Sequence, residues 1–163
     1  MVRKVAHPTP PEGVRRLLFR APIWMYRLHL GWLLGHRLLL LTHTGRVSGQ
    51  RRQVVLEAVG YESAKDIVYV ASGFGTRAQW YRNIRIHPNV TVHVGRRSAP
   101  AIATPLPPDE SGRAMVKYAR RHPHLARRLM RFCGYEVDGS DQDYFAVGRD
   151  NIPIVAVTTV SAE

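Results

Sequence analysis

Two hydrophobic patterns divide this chain into an N-terminal part and a longer remainder. Between Leu17 and Trp32 the apolar residues fall mostly three or four positions apart with arginines around them, which predicts amphipathic helix. Pro22 suits the first turn of a helix better than its interior, so we expect two helical pieces with a break near Ala21. The uncharged stretch 28–36 is too short to span a bilayer.

From Arg37 onward the pattern predicts β-structure. Alternating positions or short apolar runs mark six candidate strands with turn residues between them: RLLLLTHT, QVVLEAVGY, DIVYVAS, VTVHVG, APAIATPL and IPIVAVTTV. Strands of this kind favour an antiparallel sheet closed into a small barrel. Because the chain does not alternate as βαβ units, the predicted fold class is α+β.

Helical segments are inserted among these strands. TRAQWYRNIRIHP should end at Pro88, PPDESGRAMVKYARR should begin with Asp109 as N-cap, and HPHLARRLMRFCG should end at Gly134. The polar segment YEVDGSDQDYFAVGRDN is expected to be a long loop or a short strand. We therefore predict an N-terminal tail with amphipathic helices over 1–34 and a barrel domain over 35–163.

The net charge of the chain limits the classes of partner that it could bind. The chain has 24 Lys and Arg against 12 Asp and Glu, a net charge of +12, which indicates an anionic partner such as nucleic acid, a membrane surface or an acidic cofactor. A single cysteine, Cys133, rules out an intramolecular disulfide and is typical of a reducing cytoplasm. His122 and His124 lack the spacing of a helical metal pair, so no metal site is expected.

The turn THTGRVSGQRR, 42–52, concentrates this positive charge. Gly45 and Gly49 can adopt positive φ, which would let backbone amides face outward as an anion-binding nest beside the hydroxyl of Ser48. Arginines at 46, 51 and 52 add forked cations suited to phosphate or carboxylate. By itself the motif fits a solvated basic hairpin equally well.

A second motif, ASGFGTRAQWYRNIRIHP, runs from a strand through glycines into a short helix. Free amides at a helix start favour an anionic or carbonyl group, and Arg77 stands beside them. Trp80, Asn83 and Ile84 share one helix face, with Tyr81 pointing elsewhere. Trp80 could line a ligand or simply belong to the core.

Together, LTHTGRVSGQRR, VASGFGTRAQWYRNIRIHPNVTVHVG and IPIVAV resemble the deazaflavin-dependent nitroreductase family of actinobacteria. The resemblance implies the split antiparallel β-barrel also used by FMN-binding oxidases. It further implies coenzyme F420, a reduced 8-hydroxy-5-deazaflavin whose phosphate and oligoglutamate tail are acidic. FMN or FAD is the alternative cofactor.

The resemblance also implies roles for particular residues. Cofactor-binding positions would be Arg46, Ser48, Gly49, Arg51, Arg52, Ser72, Gly73, Phe74, Gly75, Arg77, Gln79, Trp80 and Asn83. Family members often carry a cation at the position of Val47 and proline at that of Arg51, so one cation has moved four residues along the chain.

The implied reaction is hydride transfer to an activated alkene, a quinone or a nitro compound, in which the protein orients the reactants. Tyr144, in the QDY segment, is the candidate catalytic residue, as proton donor or pocket wall. Trp24, Tyr26 and Tyr135 are candidate substrate-pocket residues.

Other functions remain open on the sequence. One is a non-enzymatic basic module bound to a membrane; nucleic acid is disfavoured, because no recognised binding motif is present. For the enzyme we expect a small-molecule substrate and a monomer or homodimer. We also expect a cytoplasmic location, with peripheral association at the inner face of the plasma membrane as an open alternative.

Overall fold

The computed structural model describes residues 1–6 and 37–160, and the predicted N-terminal helices, with Trp24 and Tyr26, lie outside these ranges. The described part contains eight strands: β1 (Arg3–Lys4), β2 (Leu38–Thr44), β3 (Arg51–Glu62), β4 (Ile67–Ala71), β5 (Asn89–Val94), β6 (Arg97–Pro105), β7 (Tyr135–Glu136) and β8 (Ile154–Thr159). It also contains four α-helices: α1 (Gln79–Ile86), α2 (Pro108–Arg121), α3 (Pro123–Phe132) and α4 (Asp141–Asp150).

Six strands close into an antiparallel barrel in the order β2-β3-β4-β8-β6-β5, with β5 returning to pair with β2. Each of the six predicted strand segments supplies one of them, which confirms the predicted barrel. Side chains alternate along each strand, so Leu39 and Leu41 of β2 are fully buried in the barrel core with Val70 of β4 and Val157 of β8.

Helix α1 packs against this core. Trp80, Tyr81 and Ile84 are all buried in the same hydrophobic cluster as the barrel interior. Tyr81, predicted to point away from the face of Trp80 and Asn83, is buried as well, so the 8-residue helix is buried over more of its circumference than a single stripe.

A second hydrophobic cluster lies where α2, α3 and α4 pack together beside β8. Ser111 of α2 joins the helices to the barrel, because its Oγ donates to the carbonyl of Gly148 at 2.7 Å and accepts from the amide of Ile154 at 2.8 Å. Small residues at the α2–α4 contact allow these backbones to approach closely.

Two local predictions are wrong. The N-cap of α2 is Pro107, with Pro108 in the first turn, and Asp109 lies inside that turn, where its carboxylate still favours the helix N-terminus. The segment 135–151, expected to be a loop or short strand, instead forms β7 and α4. Ser140 caps α4 by accepting from the amide of Asp143 at 3.2 Å.

The N-terminal residues pack on the barrel domain through β1. Lys4 lies opposite Tyr135 in the β1–β7 pair, and its Nζ is 5.8 Å from the centre of the tyrosine ring. The start of the predicted tail therefore belongs to the folded domain, and the predicted boundary at residue 34 lies outside the described residues. Within the described ranges, no helix is both long and apolar enough to cross a bilayer.

Gly148 tests the close α2–α4 packing. A Cβ there would lie 2.7 Å from the Cβ of Met115 and 2.7 Å from the carbonyl oxygen of Ser111. Because of this overlap, we expect Gly148→Ala to lower the free energy of unfolding by about 1–3 kcal/mol, even though alanine has a higher helix propensity than glycine. Gly60→Ala is the control, since its Cβ would meet Tyr69 at an ordinary 3.5 Å. Equal denaturant midpoints for the two variants would contradict this packing.

Candidate functional site

A large cleft lies where the two sequence motifs meet, between the β2–β3 turn, α1 and the loop after β4. Its volume is about 1760 Å³, above the 300–1,000 Å³ usual for small-molecule pockets. Most of the predicted cofactor residues line it: Arg46, Ser48, Arg51, Arg52, Gly73, Phe74, Gly75, Arg77, Gln79, Trp80 and Asn83. Tyr135, predicted at the substrate side, lines it too.

Three predicted residues do not line this cleft. Gly49 shapes the turn with φ of 68°. Ser72 is fully buried, and its Oγ donates to the carbonyl of Gly75 at 2.7 Å. Tyr144, the candidate catalytic residue, is buried on α4 within the second cluster. Its catalytic role stays a prediction, since Tyr144 does not line the cleft.

Four backbone amides of the β2–β3 turn are occupied by the protein itself. The amide of Gly45 donates to the carbonyl of Gln50, that of Gly49 to the carbonyl of Gly45, and that of Gln50 to the Oγ of Ser48. The amide of Arg46 donates to Asn83 Oδ1 at 3.1 Å. These four amides are therefore taken by the protein itself, and the predicted nest stays a prediction for the remaining amides of the turn.

Gly45 is required by close approach and not by its φ. It is not among the glycines with positive φ, but a Cβ at this position would lie 2.7 Å from Ser48 Oγ. Ser48 Oγ accepts a hydrogen bond within the turn, which leaves its hydroxyl proton to donate elsewhere.

Arg46 is held against α1 by one end of its guanidinium. Its Nη1 donates to Gln79 Oε1 and to Asn83 Oδ1, both at 2.9 Å. Its Nε and Nη2 form no hydrogen bond to any residue in the described ranges, so this planar group can donate to a ligand in the cleft.

Asn83 connects Arg46 to a buried histidine. Because its Oδ1 accepts from Arg46, the amide nitrogen faces His43 Nδ1, 3.2 Å away. His43 Nδ1 must then be the acceptor, which places the imidazole proton on Nε2. Burial, together with the positive charge of Arg52 directly opposite on β3, lowers the pKa of His43 to about 4. His43 is therefore neutral near pH 7.

Arg51 and Arg52 lie on opposite faces of β3. Arg52 shares the inner face with His43, whereas Arg51 stands opposite Thr44 on the outer face. Burial and the charge of Arg51 lower the pKa of His93 of β5, which shows that Arg51 is close to that residue. The cation at 51 thus reaches the cleft from the outer side of the barrel wall.

The opposite wall of the cleft is built by the glycine loop. A Cβ at Gly73 would lie 2.9 Å from Cys133 Sγ. Gly75 has φ of 69°, and a Cβ added to it would lie only 3.0 Å from the carbonyl oxygen of Asn151. Burial raises the pKa of the Cys133 thiol to about 12, so it stays protonated.

Sequence reasoning missed several residues at this site. Lys4 comes to the cleft through a two-residue strand that leaves no hydrophobic pattern. His43, at the end of β2 inside the turn motif, is only 5% exposed and lines the cleft. Asp150 is the last residue of α4 and Asn151 is its C-cap, so both depend on a helix that the sequence did not predict. The one signal in the sequence that could have pointed to the site was the position of a polar residue, His43, inside the turn motif.

The charge of the cleft is one-sided. Lys4, Arg46, Arg51, Arg52 and Arg77 contribute cations. Asp150 is the single carboxylate among the described lining residues, and both its oxygens bind Arg149, at 2.7 and 2.8 Å. The geometry therefore suits a polyanionic ligand with a planar part.

No cluster of three His, Cys, Asp or Glu side chains within residues 1–6 and 37–160 could hold a metal ion.

Comparison with known proteins places these features in a family. The family model described as F420H(2)-dependent quinone reductase matches residues 18–132, more than half of the chain. No curated protein sequence gave a match.

Solved structures share the fold. A conserved hypothetical protein from Mycobacterium tuberculosis has a TM-score of 0.54 at 14% identity, over 83% of this chain and 80% of that one. A pyridoxamine 5'-phosphate oxidase-related, FMN-binding protein from Nostoc punctiforme has a TM-score of 0.53 at 16% identity, over 86% and 80%. An F420-H2 dependent reductase has a TM-score of 0.49 at 22% identity, over 76% and 95%. The first two confirm the α+β split-barrel fold.

The buried neutral histidine predicts a pH dependence of stability. An unfolded chain binds a proton at the histidine near pH 6.5, whereas the folded protein does so only near pH 4. The free energy of unfolding should therefore fall as pH drops through this window. His43→Asn removes this contribution, so denaturant titrations between pH 7 and 4 should show wild type losing more stability than the variant. A difference between the two proteins that does not change with pH would contradict the assignment.

Proposed function

This chain belongs to the F420H(2)-dependent quinone reductase family, and we propose that it reduces a small quinone with reduced F420 in the cleft between the β2–β3 turn and α1. It is an F420H2-dependent oxidoreductase, and coenzyme F420 is its cofactor. The enzyme class and the cofactor predicted from the motifs are thereby confirmed, in place of a non-enzymatic basic module. The quinone, the alkene and the nitro compound were left open on the sequence, and the family favours the quinone.

The charge and shape of the cleft fit this coenzyme. The single observation that carries the proposal is the set of cations around a cleft whose one described carboxylate is already paired with Arg149. We propose that Arg46, Arg52 and Ser48 hold the phosphate, and that Lys4 and Arg77 bind glutamate carboxylates. Arg51 adds a further cation from the outer face of β3.

Aromatic walls complete the proposed site. Trp80 lines the cleft on α1 while its ring is mostly in the barrel core, and Phe74 and Tyr135 line the other side. Flat apolar surfaces of this kind favour the stacking of planar rings, which suits both a deazaflavin and a quinone.

The chemistry requires little from the protein beyond orientation. Bound reduced F420 would supply a hydride, and reduction of a quinone to a quinol needs one further proton, which would come from water. His43 and Cys133 both keep their neutral forms near pH 7, with pKa values of about 4 and about 12, so neither acts as a charged acid or as a thiolate. Burial raises the pKa of Tyr135 and keeps it protonated. The side chains would hold the reactants in position and stabilise developing charge.

Interactions with other macromolecules stay predictions. We propose a small-molecule substrate, and a monomer or homodimer. Cytoplasmic location is proposed from the single cysteine, and association with the inner face of the plasma membrane from the charge and the N-terminal pattern.

Cofactor choice tests the main proposal. Titration of the protein with oxidised F420, FMN and FAD, followed by tryptophan fluorescence, should show binding of F420 tighter by about tenfold or more, equivalent to roughly 1.4 kcal/mol. The coenzyme carries more anionic groups for the same cations. Preference for FMN or FAD would overturn the cofactor site, and failure of the F420H2-loaded protein to reduce menadione would overturn the quinone assignment.

Lys4 tests whether β1 contributes to the coenzyme site. Lys4→Gln should weaken F420 binding by about threefold to tenfold at low ionic strength and less at high salt, because an exposed cation is screened. Arg3→Gln is the matched control: it removes the same charge from the same strand at an exposed residue that does not line the cleft. Equal weakening by both variants would show that only long-range charge matters.

A further inference from the structure

We propose that His43 is a catalytic residue whose Nε2–H donates a hydrogen bond to the carbonyl oxygen of the molecule that accepts the hydride. The inference rests on the proposed quinone reduction and assigns a specific atom to it. Hydride addition to a conjugated carbonyl compound moves negative charge onto its oxygen, so a fixed donor at that oxygen stabilises the transition state more than the ground state.

The first observation is that the protein determines which imidazole nitrogen carries the proton. Arg46 donates twice to Asn83 Oδ1, from its amide at 3.1 Å and from Nη1 at 2.9 Å. The Asn83 amide therefore cannot turn round without placing its NH2 against two donors. Its Nδ2 meets His43 Nδ1 at 3.2 Å, and the proton of the neutral ring stays on Nε2.

The second observation is that this donor is unpartnered among the described residues and belongs to a side chain that lines the cleft. His43 is only 5% exposed and lines the cleft. In the described part of the chain, every side-chain nitrogen or oxygen fully shielded from solvent has a hydrogen-bond partner. Nε2 has no bonding partner among these residues, so it is not fully shielded, and it is the open donor of a side chain that lines the cleft.

The third observation is that the donor is neutral and already oriented. Arg52 stands directly across from His43 on β3, and its charge opposes a second proton on the ring. The imidazole is thus held as a neutral donor beside a cation, and no side chain has to reorganise when the charge appears on the acceptor oxygen.

Two substitutions separate the donor from the rest of the ring. His43→Asn keeps an acceptor near the position of Nδ1 for Asn83 and removes the donor at Nε2. His43→Gln places an amide N–H near Nε2. With F420H2 and menadione, we expect His43→Asn to lower kcat/KM by about 10²-fold and His43→Gln to recover at least a tenth of wild-type activity. The dissociation constant of oxidised F420, measured by fluorescence, should stay within about twofold for both variants.

Other outcomes overturn the inference. Equal losses in the two variants would show that the imidazole is needed for its shape, and unchanged kcat/KM in His43→Asn would show that it contacts no reacting atom. Weakened F420 binding that matches the loss in kcat/KM would assign the donor to a coenzyme oxygen instead. Thermal unfolding of both variants checks that they fold.

An independent measurement needs no substrate. Nitrogen-15 NMR of the histidine rings in the wild-type protein should show His43 as the neutral Nε2–H form at pH 7. The Nδ1–H form, or an imidazolium, would overturn the donor assignment even if quinones are reduced. If menadione is not reduced but the Nε2–H form is observed, the proposed substrate fails while the orientation of His43 stands.

Discussion

The side-chain amide of Asn83 is the contact on which the site depends. Its oxygen accepts from the backbone and guanidinium of Arg46, and its nitrogen meets His43, so one buried group joins α1 to the β2–β3 turn and to the inner face of β2. Because Asn83 is only 5% exposed, losing His43 would leave its Nδ2 without its partner in a place that water hardly reaches. The network thus fixes both the direction of an arginine and the protonation of a histidine.

Positive charge reaches the cleft through side chains anchored in different ways. The turn uses its own amides to close itself, and its arginines extend from that rigid base. Arg51 and Arg52 approach from opposite faces of one strand, and Lys4 arrives from the other end of the chain. Arg51 therefore does not place its charge where a cation at position 47 would. It adds positive charge on the outer face of the barrel, next to His93. Val47 itself is 91% exposed.

The barrel strands and α1 to α3 could be predicted because their apolar residues follow the period of each element over several turns or alternations. Helix α4 could not, since its buried positions, among them Tyr144 and Val147, are few and lie among charged residues, and its Ser140 cap is as common in loops. The two motifs correctly predicted most of the residues that line the cleft. The roles of the turn amides and of His43 could not be predicted, because they depend on partners such as Asn83, 40 residues away in the chain.

A crystal structure of the protein with oxidised F420 tests the central claim most directly. The account predicts the phosphate and glutamate carboxylates among Arg46, Arg52, Arg77 and Lys4, the deazaflavin ring against the Trp80 and Phe74 walls, and His43 Nε2 facing the space left for the hydride acceptor. An anionic tail bound elsewhere, for example along the basic face of α2, with the cleft left to solvent, would contradict it.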